Sequence, residues 1–201
     1  MNALADALAV HCPPERPIQF GWPGALIYDH GLIGGGRLEW AAGCDEASVP
    51  DWVVFAAMVR ASRRSPFDDQ LAASHNFTSQ AFDRSQAFDR SQALDQSQTL
   101  GQFPTGTAMD EEGFEDVDAV DLVESFARHV MLGVSRWQSD GPKATVRRWL
   151  DRMEKKPGFR HGIEPNGDLI ITSQAGDECR SFTRALRQAD WFDAEEGAPK
   201  L

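Results

Sequence analysis

The spacing of apolar residues changes partway along this chain, and that change limits the fold more than any other feature. Before residue 60 apolar side chains alternate or run in short blocks, the habit of strands. After residue 117 they recur every three or four positions, the habit of helices. Ile18-Gln19-Phe20-Gly21-Trp22 alternates and predicts a strand. Ala25 to Tyr28 predicts a second, closed by the turn residues Asp29-His30-Gly31. Leu32 to Trp40 predicts a third, with three glycines inside it. Trp52 to Val59 is apolar almost throughout, which predicts a central strand covered on both faces. The short connections predict an antiparallel meander. Ahead of it, Leu4, Ala5, Leu8 and Ala9 follow helical spacing, with Asn2 expected as the cap and Pro13-Pro14 as the stop.

Beyond residue 117, Val120, Val123, Phe126, Ala127, Val130, Val134 and Trp137 predict a helix from Val117 to Gln138. Acidic residues crowd its start, where the helix dipole favours them. Asp140-Gly141-Pro142 breaks it. Val146, Trp149, Leu150 and Met153 predict a second helix, stopped by Pro157-Gly158. Phe159 to Ile163 and Asp168 to Thr172 flank Asn166-Gly167, a strong hairpin signal. Cys179 to Ala189 fits a strand or a short helix, and a helix is expected. The fold class is therefore α+β: an antiparallel sheet packed by helices, with a small C-terminal β-rich appendage.

A hexapeptide repeat separates the two regimes. Ser79-Gln80-Ala81-Phe82-Asp83-Arg84 recurs at Ser85 and again, altered, at Ser91, then decays by Gln102. Six residues turn a helix by 600°, so Phe82, Phe88 and Leu94 share no helical face, although they would share one face of a strand. The expectation is a disordered surface insertion, where added length costs little closure entropy; the alternative is a self-associating segment with period-2 apolar sites. The chain divides accordingly into 1–73 (sheet), 74–102 (insertion), 103–157 (helices) and 158–201 (C-terminal unit).

Charge removes some function classes. Acids number 31 and bases 20, a net charge of −11 in 201 residues, which disfavours duplex nucleic acid and anionic membrane surfaces as partners. Apolar runs fall far short of a ~20-residue span, and the start lacks the basic and apolar regions of a signal peptide. Three separated cysteines, Cys12, Cys44 and Cys179, suit neither a disulfide scaffold nor a zinc site. A reduced, cytoplasmic protein is expected.

The stretch from Trp22 to Trp40 carries the chemistry. Glycines inside a strand mark a bulge or the close approach of a ligand or another backbone. Gly34, Gly35 and Gly36 would expose N–H groups to a carboxylate or phosphate, with Arg37 beside them as a bidentate partner. The structural alternative is a bulged strand packing under a helix. Other groups point less sharply. Cys44 lies among acids, which disfavours a nucleophilic thiolate. His129 reads as a satisfied helix histidine, and the scattered histidines lack metal-ligand spacing. Residues 110–124 hold eight acids and no bases, and residues 142–161 hold seven bases and two acids. The first suits a solvated loop and helix start; the second suits a solvated helix face, or a surface steering an acidic partner.

The order of these segments resembles the biotin/lipoate A/B protein ligase family, which comprises biotin protein ligases, lipoate protein ligases and lipoyl transferases. Trp22-Pro23 is similar to the family's Trp-Pro-Asn-Asp motif, Gly34-Gly35 to its Gly-rich strand, and Asp51-Trp52-Val53-Val54-Phe55 to the next apolar strand. Glu111-Glu112-Gly113 and Ser125 through Trp137 resemble the helical tail of the catalytic domain, and Asn166-Gly167-Asp168-Leu169 a small C-terminal β domain. The resemblance implies attachment of a biotinyl or lipoyl-type acyl group to a protein lysine through an acyl-adenylate. ATP with Mg would be the cofactor, a small carboxylic acid the substrate and a carrier domain the acceptor. The implied binding residues are Trp22, Gly34, Gly35, Gly36, Arg37 and Arg60.

The chain departs from the family pattern. Gly24-Ala25 stands where the motif has Asn-Asp, Leu32 falls at the ligase lysine, and Arg60 falls near the expected asparagine. The N-terminal half with its Arg-Gly phosphate loop is not found. This implies a divergent, N-terminally truncated member with a degenerate adenylation step. No catalytic residue and no metal ligand set is assigned. Two further readings stand beside it: a binding module docking an acidic carrier through residues 142–161, including Arg147, Arg148 and Arg152, or a truncated remnant. A missing sheet partner would leave a bare strand edge, so marginal stability or association is expected.

Overall fold

The computed structural model describes residues 1–41, 43–44, 48–62, 105–114 and 117–200. The expected insertion at 74–102 lies outside them. Four strands, β1 (Ile18–Gly21), β2 (Ala25–Tyr28), β3 (Gly31–Trp40) and β4 (Val53–Val59), form one antiparallel sheet in the order β1-β2-β3-β4. Asp29 and His30 link β2 to β3 with φ of 44° and 68°, a two-residue connection of the kind whose backbone matches strand twist. The β2–β3 register shifts between Leu26 and Ile27, the bulge that the glycines predicted.

The sheet has a different cover on each face. One face sets Phe20, Leu26, Tyr28 and Ile33 against Leu4, Ala5 and Leu8 of α1 (Asn2–Leu8), closed by Met109 and Phe114. Phe126 of α2 (Ala119–Asp140) and Trp149 of α3 (Pro142–Asp151) pack onto the margin of this core. The other face sets Ala25, Leu32 and Met58 against Ala189, Trp191 and Phe192.

Local chemistry explains the helix ends. Asp118 accepts hydrogen bonds from the Val120 and Asp121 amides at 2.7 and 3.1 Å, an N-cap worth about 1 kcal/mol. Gly141 at φ 78° ends α2, and Pro142 starts α3 where its missing N–H is harmless. Asn2, expected as a cap, is instead the first residue of α1, which Met1 caps without a side-chain bond. The Asn2 amide reaches across to donate to the Thr145 carbonyl at 2.9 Å.

The C-terminal unit starts with a second antiparallel sheet, β5 (Arg160–Ile163), β6 (Leu169–Ser173) and β7 (Gly176–Arg180). Leu169 and Ile171 bury against Met153, with Trp22, Trp149 and Leu150 around them. The segment expected as a helix from Cys179 to Ala189 divides in two. Cys179 and Arg180 finish β7, and α4 (Phe182–Gln188) begins after the Ser181 cap. A last short hairpin, β8 (Phe192–Asp193) with β9 (Ala198–Pro199), was not foreseen.

One expectation fails at β4. Its apolar sequence suggested a strand covered on both faces, but among the described residues β4 pairs with β3 alone. Val53 and Val54 are about half exposed, as is Trp52 just before them. An apolar run reports that a strand needs burial; it cannot report which neighbour supplies it. No helix among the described residues is long and apolar enough to cross a membrane.

Candidate functional site

The glycine run of β3 is explained by what lies over it. A Cβ on Gly35 would stand 2.5 Å from the Trp191 indole and 2.5 Å from the Gly24 carbonyl oxygen. One on Gly36 would meet Phe55 at 2.5 Å and the Met1 sulfur at 2.6 Å, on the opposite face. One on Gly34 would overlap the Met58 carbonyl. The close approach inferred from the glycines is thus made by the chain itself, and the Gly36 N–H donates to the Gly24 carbonyl at 2.7 Å.

Strand alternation groups the implied binding residues differently from their order in sequence. Gly35 and Arg37 lie on one face of β3, paired in register with Met58 and Ala56 of β4. Arg60, two residues past Met58, returns to that face. The C-terminal hairpin covers it. Trp191 is fully buried, the Arg37 guanidinium sits 4.3 Å from the Phe192 ring centroid, and Arg60 Nη2 donates to the Pro199 carbonyl. Arg37 also pairs with Glu39 at 3.0 Å. Trp22 stands apart: its ring contacts Trp149 edge-on at 5.7 Å and Phe182 at 5.6 Å, in the junction with the C-terminal sheet. Gly34 and Gly36 serve backbone packing and the α1 side. The six residues therefore do not converge; Gly35, Arg37 and Arg60 do share a face.

Glu39 and the Pro199 carbonyl take one donor each from Arg37 and Arg60, and two donors of that face remain. Arg60 Nε and the Trp191 indole N–H are both buried without an acceptor among the described residues. Two guanidiniums and an indole under one hairpin form a setting in which a carboxylate would supply the acceptors that are lacking. Sequence reasoning missed Trp191, Phe192 and Pro199. The aromatic pair Trp191-Phe192 was the available signal, but it lies in a stretch with no periodicity.

The other candidates are absorbed by structure. The Cys44 thiol donates to the Ser48 carbonyl at 3.6 Å. His129 Nδ1 lies 2.8 Å from the Ser125 carbonyl within α2. Glu112 accepts from Thr107 at 2.7 Å and pairs with Arg16 at 2.9 Å. No group of three or more His, Cys, Asp or Glu among the described residues could hold a metal ion. In the basic stretch, Arg148 and Arg152 both pair with Asp6 of α1, at 2.8 and 2.7 Å. Burial opposes ionisation of Asp6, but these two arginines overcome it and hold the carboxyl below its ordinary range. Arg148 and Arg152, assigned above to a docking surface, clamp α3 to α1.

The fold and sequence match known proteins as follows. The model of a family described as the Biotin/lipoate A/B protein ligase family matches residues 1–82 and 90–151. No curated protein matches the chain. Among solved structures, a biotin protein ligase-like protein of unknown function from Silicibacter sp. TM1040 superposes with a TM-score of 0.62 at 19% identity, covering 91% of this chain and 69% of the other. The apo biotin protein ligase from Aquifex aeolicus gives 0.54 at 10% identity, covering 89% and 67%. At these identities the two structures establish shared architecture.

Proposed function

Because the chain belongs to the biotin/lipoate A/B protein ligase family, we propose that it recognises a small carboxylic acid of the biotinyl or lipoyl type on the face formed by Gly35, Arg37 and Arg60. The observation that carries this reading is the pair of buried donors beneath the C-terminal hairpin, Arg60 Nε and Trp191 Nε1, that have no acceptor among the described residues. A carboxylate accepting from a guanidinium forms charge-assisted hydrogen bonds roughly twice as strong as neutral ones. Burial of the apolar tail would add about 0.8 kcal/mol per methylene.

Family members use ATP with Mg to activate the acid and pass the acyl group to a lysine of a carrier domain. The groups described in this chain fit the acid better than they fit a triphosphate. The Gly36 amide is spent on Gly24, Arg37 is neutralised by Glu39, and Mg ordinarily needs carboxylates in addition to phosphate oxygens. We therefore assign no adenylation step to this chain. In this reading Arg60 fixes and neutralises the carboxylate, Arg37 stays paired with Glu39 and holds the Phe192 ring of the hairpin in place, and the Trp191 indole shields the site from water. A cytoplasmic protein that retains acid recognition and has a degenerate ligase activity is the resulting picture, with a biotinyl or lipoyl carrier as its protein partner.

Titration calorimetry with biotin, lipoate, octanoate and ATP·Mg tests this. Heat is expected from at least one acid, weakened tenfold or more by Arg60→Ala, and none from ATP·Mg. Silence from all three acids would overturn acid recognition. ATP-dependent acylation of a carrier domain by this chain alone would overturn the degenerate step.

A further inference from the structure

The two strands of the C-terminal hairpin are held over the Arg37 and Arg60 face in different ways. Strand β8 is anchored by side chains: the Trp191 indole before it is fully buried over Gly35, and the Arg37 guanidinium stacks on Phe192. Strand β9 is two residues long and pairs with β8 through Phe192 opposite Pro199 and Asp193 opposite Ala198. The Lys200 amide extends that pairing by donating to the Trp191 carbonyl at 2.9 Å. Towards the sheet, the Pro199 carbonyl accepts from Arg60 Nη2. The residues leading into β9, Ala194 to Gly197, are exposed, and Gly197 turns at φ 67°. An exposed turn ending in glycine can let β9 swing away while β8 stays in place.

We infer that β9 is an internal competitor for the acid: the Pro199 carbonyl takes the place on Arg60 that the carboxylate needs, and a bound acid expels β9. This rests on the acid recognition proposed above and adds its regulation. Nε and Nη2 are the two parallel donors on one edge of a guanidinium. A peptide carbonyl offers one neutral oxygen. Here it takes Nη2 and leaves Nε buried with no acceptor among the described residues. A carboxylate offers two oxygens and a charge, so it fills both donors of that edge. The internal contact is therefore correct in position and incomplete in chemistry, as a displaceable competitor must be. The Pro199 carbonyl and a carboxylate cannot both hold this edge, so the hairpin is no fixed roof under which the acid slides. Because β9 belongs to the same chain, it competes at a constant effective concentration. Acid affinity is lowered in proportion to the fraction of time that β9 is docked.

The test compares the full chain with one ending at Gly197, which keeps Arg37, Arg60 and Trp191. Both are titrated calorimetrically with biotin, lipoate and octanoate, and circular dichroism checks that the shortened chain folds. The shortened chain is expected to bind at least one of these acids about tenfold or more tighter than the full chain does. Hydrogen exchange on the full chain needs no variant. A saturating concentration of the tightest acid should speed exchange of the Lys200 amide about tenfold or more, because local opening exposes it. A fixed roof would leave that amide unchanged or slow it, and either result overturns the inference, whether or not the shortened chain folds. Equal or weaker binding by a folded shortened chain also overturns it and leaves acid recognition standing. Heat from none of the acids with either chain overturns acid recognition itself, and the competitor with it.

Discussion

Gly35 and Gly36 are neighbours of the same type with unequal tolerance. A methyl on Gly35 meets the rigid indole of Trp191 and the Gly24 backbone; one on Gly36 meets the tips of Phe55 and Met1, which can move. Gly35→Ala should cost about 1–3 kcal/mol through overpacking, and Gly36→Ala clearly less. Paired thermal melts check the order, and equal shifts would contradict the packing account. Asp6 gives a second prediction. Its folded pKa is depressed, so its stabilisation is complete above the unfolded value of about 3.9 and is lost as pH falls through the folded value. Asp6→Asn should lower stability near neutral pH by about 1–2 kcal/mol, the scale of a charge-assisted hydrogen bond, and flatten the acid limb of the Tm profile. At this scale the sequence was half readable. Three glycines in a strand announce that something comes close, but a one-dimensional pattern carries no information on an indole 156 residues later.

At the scale of elements, strands β1 to β3 and helices α2 and α3 were legible because period and punctuation agree. Alternation, Asp29-His30-Gly31 and Gly141-Pro142 each mark a boundary that backbone physics enforces. The segment after Cys179 was misread because a strand and a helix abut at Ser181, and no single period spans both. The β8–β9 hairpin escaped notice because two-residue strands are too short to show any period. That hairpin is also the element with most to test. Trp191→Ala should cost about 3–5 kcal/mol in the global melt as a large buried aromatic is lost. If the hairpin shields the Arg37 and Arg60 face, the same variant should accelerate dissociation of a bound acid. Stopped-flow displacement measures this, and an unchanged rate would mean that the hairpin plays no part in binding.

For the whole molecule, charge and apolar surface act in opposite directions. Each copy carries −11, so two copies repel through solvent, while exposed apolar side chains such as Val54, Val120 and Trp137 attract. Added salt screens the repulsion without weakening apolar burial. Self-association should therefore strengthen between roughly 0.05 and 0.5 M sodium chloride; contacts held by ion pairs would weaken instead, and sedimentation distinguishes the two. The fold class and the family resemblance could be read from the order of segments along the chain. The place of β4 after β3, with no further partner among the described residues, was not legible, because the strand's own residues argue for a neighbour on each side.

The clamp of Asp6 to Arg148 in α3 and Arg152 at its C-terminal cap joins residues 142 and 146 positions apart, and Arg60 meets a carbonyl 139 positions away. The meander and α1 are neighbours in sequence, but Met109, Phe114 and Trp149 on one face and Ala189, Trp191 and Phe192 on the other come from much later in the chain. Contacts so distant in sequence make for slow folding. During that interval β4 and the future core face stand open together, and the partly assembled chain is exposed to misassociation. Mutations that delay the docking of α3 or Trp191 should therefore reduce the yield of folded protein before they reduce the stability of what does fold.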